Sequence, residues 1–328
     1  MAHKPKAIIE LNIETSDEYD RGTDSDGSIG VIYGAEGTGK TTALRNLPAV
    51  STLVIGFDSG TKVLKKMGYG HRVQKLRGDL ANLDALFELI TADESSPYWD
   101  TKKQLFPKGI KFVVIDHFTE MFKWIENAYA DRRDHFTLTL KDRGDTSSSI
   151  NRYIRMFRDL SDLGINVVFL ALEELYEVGE KAGEGGSIKK LMPSSSVKVS
   201  KQLCGIADFV GRLVYDVSQD SRAIRMYGSV EESISCKSRC VNPEFNKFPH
   251  NEWEEPDILR IISKDLGYDP DKMVERIEKE NEEERERLKG VQGQNTNFSV
   301  DLRNSDRVNT VTGSTNEPSR KSEKEVTI

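Results

Sequence analysis

The chain has 328 residues, 37% of them hydrophobic and 31% charged, with 47 Lys and Arg against 54 Asp and Glu for a formal net charge of -7. This is enough apolar material for one large domain or two modest ones, and too acidic a balance for a protein that coats duplex DNA by charge alone. No apolar run reaches the roughly 18 to 20 residues needed to cross a bilayer, Met1 to Lys6 lacks the apolar stretch of a secretion signal, and three cysteines make no disulfide framework; a soluble, cytoplasmic protein is expected.

Residues 1-27 hold one candidate strand, Ala7 to Ile13, followed by an acidic, turn-rich stretch, and read as a leader and linker. From Ser28 the pattern changes. Strand-length apolar runs at Ile29 to Tyr33, Thr52 to Phe57, Lys111 to Ile115 and Ile165 to Ala171 alternate with helical spacing at Thr42 to Leu47, Leu80 to Ile90, Phe118 to Ala130 and Ile150 to Leu163. Near-continuous apolarity suits strands covered on both faces, and alternation of the two element types predicts a wound α/β domain on a mostly parallel sheet. Gly179 to Ser200, rich in Gly, Ser and Lys, reads as a flexible loop ahead of an antiparallel extension at Phe209 to Val217 and Ala223 to Tyr227. A short helix at Asp257 to Leu266 closes a domain expected over 28-266. Residues 267-328 read as a charged helix, Asp271 to Lys289, and a disordered tail; from Glu254 onward 13 Lys and Arg face 18 Asp and Glu.

Gly34, Ala35, Glu36, Gly37, Thr38, Gly39, Lys40, Thr41 and Thr42 fill every position of the loop G-x-x-x-x-G-K-[ST], between a strand and a helix. Glycines let successive backbone N–H groups curl around a polyphosphate, a lysine reaches its outer phosphates, and the Thr41 hydroxyl is placed for Mg²⁺. Lys40 reads as a solvent-facing loop residue, and ATP with Mg²⁺ is the expected ligand. A second carboxylate for the cation stands at Asp116, at the end of the run Phe112 to Ile115. His117 and Glu120 follow closely; Glu120 suits either the same cleft or the first turn of the next helix. Asp58, ending the second strand, reads as the group that orients water for hydrolysis or as a turn carboxylate, and Glu173 as a γ-phosphate sensor or half of a solvated charge pair.

Two polar, basic segments are candidates for tracking a nucleic-acid backbone or for plain surface loops: Asp134 to Ser149, with Phe136, Lys141 and Arg143, and Lys181 to Lys201, with Lys189, Lys190, Lys198 and Lys201. Cys236 and Cys240 with His250 are weighed as metal ligands and, lacking a fourth, read as ordinary thiols beside Cys204.

On the phosphate loop, with Glu36 third in it and the doubled Thr41-Thr42, the chain resembles the RecA-like ATPases, in particular the small phage recombination proteins of the Sak type. The resemblance runs from about Ser28 to His250, with Asp58 and Gly60 standing where the family usually has Glu and Gly, Asp116 on the magnesium-binding strand, and Leu172 where a His usually precedes the sensor residue. It implies ATP hydrolysis, action on single-stranded DNA in recombination or replication, self-assembly into a homo-oligomer, contact with replication or recombination proteins, and a place in the host cytoplasm if the chain is phage-encoded. It also implies that Lys237 and Arg239, matching a late Lys-x-Arg motif, reach the nucleotide of a neighbouring subunit. A nucleotide-gated loader that binds a partner protein without touching DNA is the alternative, and a small-molecule phosphotransferase a more distant one, since no Arg-rich lid is evident.

Overall fold

The computed structural model describes residues 27–58, 60–66, 72–76, 80–131, 139–180, 187–216, 221–226, 235–238, 253–254, 256–266 and 269–291. The expected strand at Ala7 to Ile13, the final tail, Phe136, Arg239, Cys240 and His250 lie outside these residues.

The apolar runs form the strands expected of them. β1 (Ile29–Gly34), β2 (Thr52–Gly56), β3 (Arg72–Lys75), β4 (Phe112–Asp116) and β5 (Asn166–Glu180) pair in parallel in the order β1-β5-β4-β2-β3. β6 (Ser187–Pro193) turns back antiparallel on β5, and β7 (Phe209–Asp216) adds in parallel on the free side of β1. The antiparallel extension follows from there: β8 (Ser221–Arg225) and β9 (Lys237–Ser238) pair with β7, and β10 (Trp253–Glu254) with β8. The fold is α/β, with a mostly parallel central sheet of the P-loop NTPase kind.

Helices are numbered in chain order, the first being a single 3₁₀ turn, α1 (Thr41–Leu44). They continue as α2 (Lys62–Lys66), α3 (Ala81–Thr91), α4 (Trp99–Leu105), α5 (Phe118–Asp131), α6 (Leu140–Ser161), α7 (Val197–Ile206), α8 (Ile258–Asp265) and α9 (Pro270–Val291). Side chains alternate across a strand, so a run apolar at every position needs cover on both faces. Val31, Tyr33, Val113, Ile115, Val167 and Phe169 pack against α3, α5, α6 and α7, where Phe157 meets Phe87 at 4.6 Å and Phe169 edge-on at 5.5 Å. Ile32, Val54, Val114, Val168 and Leu170 face the other way, onto Leu44, Leu64, Ile258, Ile262 and Ile277.

Three local expectations are corrected. Gly179 to Ser200 is not a loop throughout: β5 runs on to Glu180, β6 occupies Ser187–Pro193, and α7 begins at Val197 behind Ser196, whose hydroxyl accepts from the Val199 N–H. Residues 139–149, read as loop, are the first turns of α6, because Thr139 and Asp142 form a capping box in which each side chain accepts from the other's backbone N–H, at 3.2 and 2.8 Å. The helix expected over Thr42 to Leu47 shrinks to one 3₁₀ turn, since Pro48 stands just beyond and disfavours helix at the residue before it.

That short turn is completed from the far end of the chain. Asn281 of α9, only 6% exposed, donates to the Leu47 carbonyl at 3.1 Å and accepts from the Ala49 N–H at 2.9 Å. Asp257, just ahead of α8, accepts from the Asn46 amide at 2.6 Å and from the Leu259 N–H at 3.0 Å. Between α8 and α9, on either side of the boundary expected at 266/267, Arg260 pairs with Asp271 at 2.7 Å, and both helices contribute isoleucines to the same apolar cluster. Replacing Asn281 by Ala removes two buried hydrogen bonds and is expected to lower stability by about 1–3 kcal/mol; the measurement is a lower urea midpoint with an unchanged slope.

Candidate functional site

The loop from Gly34 to Thr42 leaves the carboxyl end of β1 and is shaped by glycine where no other residue fits. Gly37 and Gly39 have φ of 75° and 99°, in the left-handed region. A Cβ on Gly34 would stand 2.2 Å from the Leu213 carbonyl oxygen, so strand β7 crowds the loop's first residue. Lys40 is 9% exposed, not solvent-facing as expected from its place in a loop, and its ammonium donates to the carbonyls of Gly34 at 3.0 Å and Ala35 at 2.7 Å. Burial lowers its pKa, while Asp116, Glu173 and Glu36 pull the other way.

Asp116 ends β4, 2% exposed, and accepts from the Thr41 hydroxyl, nearest at 3.1 Å. Its pKa is pushed up to about 7, first by burial and then by the negative charge of Asp58, with Thr41 and Lys40 acting in the opposite sense. The Thr41 and Asp116 oxygens together supply the small, oxygen-only donor set that suits Mg²⁺, which keeps most of its other positions for water and phosphate. No cluster of three or more His, Cys, Asp or Glu suited to a metal occurs among the described residues. Cys204 and Cys236 are thiols whose pKa values burial pushes up to about 11, which leaves them unreactive.

Asp58 accepts the Gly60 N–H at 2.8 Å, as a turn carboxylate does, and its second oxygen stands 3.4 Å from His117 Nε2. The Glu120 N–H points at His117 Nδ1 from 3.4 Å, which places the ring proton on Nε2, toward Asp58. Burial lowers the His117 pKa against the pull of Asp58 and Glu120, so the neutral ring with that tautomer prevails near pH 7. Glu120 itself turns out to Lys123 at 2.8 Å.

Glu173 lies past the end of β5's parallel pairing with β1, close enough to act on Lys40, but its carboxylate is engaged by Arg212 of β7, through Nε at 2.8 Å and Nη2 at 3.3 Å. Sequence reasoning missed Arg212; the signal was a lone cation among the apolar residues of Phe209 to Val217. The Lys237 ammonium donates to the carbonyls of Cys204, Gly205 and Ala207, capping the C-terminus of α7 within its own chain. The loop, Asp58, Asp116, His117 and Glu173 thus gather at one end of the sheet, and Lys237 is tied to a helix end.

Because the folded-state pKa of Asp116 lies above its ordinary 3.8, at about 7, the unfolded chain releases this proton first as pH rises. The buried carboxyl therefore supports the fold below about pH 4, and that contribution is lost as pH climbs to about 7 and stays lost above it. Without a cation, wild type should lose stability relative to Asp116→Asn across this window; denaturation of both at a series of pH values checks it.

Residues 27–240 match the family model described as an AAA domain. No curated protein matches the chain. Among the described residues no helix is long and apolar enough to cross a membrane. With well over half of its length matched, and with the phosphate loop and its partner carboxylate in place, the chain belongs to the AAA-domain family and carries an ATP-binding P-loop domain of the NTPase class.

Proposed function

We propose that the protein is a Mg²⁺-dependent ATPase of RecA-like design whose nucleotide state controls its hold on single-stranded DNA. The observation that carries the ATPase part is the placing of buried Lys40 and Asp116 around half-buried Thr41, in which Thr41 bonds to the carboxylate while no ion pair joins Lys40 to Asp116 among the described residues. Backbone N–H groups of the loop take the inner phosphates, and Lys40 exchanges two loop carbonyls for the outer ones. Thr41 and Asp116 would hold Mg²⁺, which would draw negative charge from the phosphates when bound. Asp58, fixed by the Gly60 N–H and by His117, orients the attacking water and takes up its proton. Glu173, held by Arg212, reports on the outer phosphate through its closeness to Lys40.

The DNA part is supported by where the basic residues stand. Lys141 and Arg143 are exposed on α6, Lys198 and Lys201 on α7, and these two helices pack against each other. Further along α6, Arg155 lines a groove with Ser148, Asn151 and Asp159, beside Arg152, which pairs with Asp84 at 2.7 Å. Lys189 and Lys190 stand on β6, in the hairpin that continues β5 past the nucleotide end of the sheet. Partner recombination proteins and a homo-oligomer belong to the same proposal. In it Arg239, with Lys237 if it is released from α7, reaches a neighbour's nucleotide.

Anisotropy of a labelled oligonucleotide at moderate salt, with ATP, ADP or no nucleotide, tests the whole reading. Tighter single-strand binding with ATP is expected, and Lys40→Ala should abolish both that difference and ATP turnover. Replacing Lys141 or Lys201 by Ala should lower the salt dependence of binding by about one charge each. ATP turnover without any DNA binding, together with a stable complex with another protein, would favour the loader. Sizing with and without a non-hydrolysable analogue checks assembly: a larger species with the analogue is expected, and a monomer in both removes the role across subunits.

A further inference from the structure

The phosphate loop has a neighbour that no motif announces. Arg222 of β8 lies so close to Gly39 that a Cβ added there would stand 3.1 Å from both its Cδ and its Nε. Its guanidinium carbon sits 5.4 Å from the ring centroid of Tyr215. The two are direct cross-strand partners in the β7–β8 pairing, so both project from the same face of the sheet. It is the face that carries α1, because Leu213 and Ile224, the next pair inward, pack there with Leu44. Arg222 is exposed, and no carboxylate pairs with it among the described residues; Tyr215 keeps 43% of its surface open.

Direction along the loop decides what this pair can meet. Thr41 turns toward Asp116, which lies on the β5 and β4 side of β1, so the cation and the outer phosphates belong on that side. Gly39 meets Arg222 on the opposite side, where β7 and β8 lie. A triphosphate anchored at its outer end by Lys40 and Thr41 must carry its nucleoside out over β7 and β8. An arginine fork with its stem against a glycine of the loop is suited to phosphate oxygens, and a partly exposed tyrosine ring beside it to a flat base. A bulkier residue at position 39 would push the arginine away as well as strain the loop.

Resting on the reading of the loop as an ATP site, the geometry points to Arg222 and Tyr215 as the nucleoside end of that site: Arg222 donates to the phosphate nearest the ribose, and the Tyr215 ring stacks on the base. The β7–β8 pair thereby acts as a second wall of the site, opposite Asp116.

The test compares binding of ATP and of inorganic tripolyphosphate, by calorimetry with Mg²⁺, to wild type and to Arg222→Ala, Arg222→Lys, Tyr215→Ala, Tyr215→Phe and Lys40→Ala. Arg222→Ala should weaken both ligands about tenfold, and Arg222→Lys should recover part of the loss. Tyr215→Ala should weaken ATP about tenfold and leave tripolyphosphate within twofold, while Tyr215→Phe keeps ATP affinity because it keeps the ring. If ATP affinity is unchanged in both alanine variants while Lys40→Ala loses it, the nucleoside assignment falls and the ATP site stands. If Tyr215→Ala loses tripolyphosphate as strongly as ATP, the ring supports the loop and does not meet a base, which also overturns the assignment. Wild type that binds neither ligand removes the ATP site itself.

Discussion

Lys40 and Asp116 are both buried at the end of the sheet, and neither is paid for by the other. The ammonium is held by two carbonyl oxygens, the carboxylate by one hydroxyl. Their mutual attraction does not offset the cost of burial, which leaves the lysine pushed down and the aspartate pushed up in pKa. Each group is matched by a different part of one ligand: phosphate oxygens answer the ammonium, and a divalent cation answers the carboxylate.

The sheet sets the dimensions of this arrangement. β5 lies between the loop strand and the Asp116 strand, with Gly34 opposite Leu172 on one side and Asp116 opposite Leu170 on the other. Two strand spacings separate β1 from β4, about 10 Å, and the loop folds back across that gap to bring Thr41 within 3.1 Å of Asp116. Glu173, three residues beyond Leu170 on β5, lies past the middle of the gap, and β7 reaches in from the far side through Arg212 to hold it. The two strands next to β1 therefore bound opposite ends of the cradle, β5 through Glu173 and β7 through its contact with Gly34.

Much of this was legible in the chain because the signals are local. A run such as Phe112 to Asp116 has to be a doubly covered strand, and the spacing from Gly34 to Thr41 fixes a loop whatever follows. What escaped was of two kinds. Short-range polar chemistry was mistaken for loop composition, as when Thr139 and Asp142 cap a helix or Ser196 starts one. Long-range pairing was not legible locally: nothing near Glu173 announces Arg212, and nothing near Gly39 announces Arg222, because β7 and β8 bring them there from some forty and nearly two hundred residues away. The burial of Lys40 was missed for the same reason, since a loop residue becomes buried only when the loop curls around its side chain.

The C-terminal helices supply what the phosphate loop's own helix lacks. A P-loop normally gains from the helix that follows it, whose aligned peptide dipoles favour the phosphates. Here that helix is one 3₁₀ turn stopped short of Pro48, and so short an element contributes little dipole and little rigidity. The stiffness comes instead from α8 and α9: Asp257 fixes Asn46, Asn281 spans Leu47 and Ala49, and Ile258, Ile262 and Ile277 seal the same cluster as Leu44 and Leu47. These helices lie beyond residue 240, where the family match ends. Asn46 and Leu47 thus tie the end of the phosphate loop to α8 and α9 through Asp257 and Asn281.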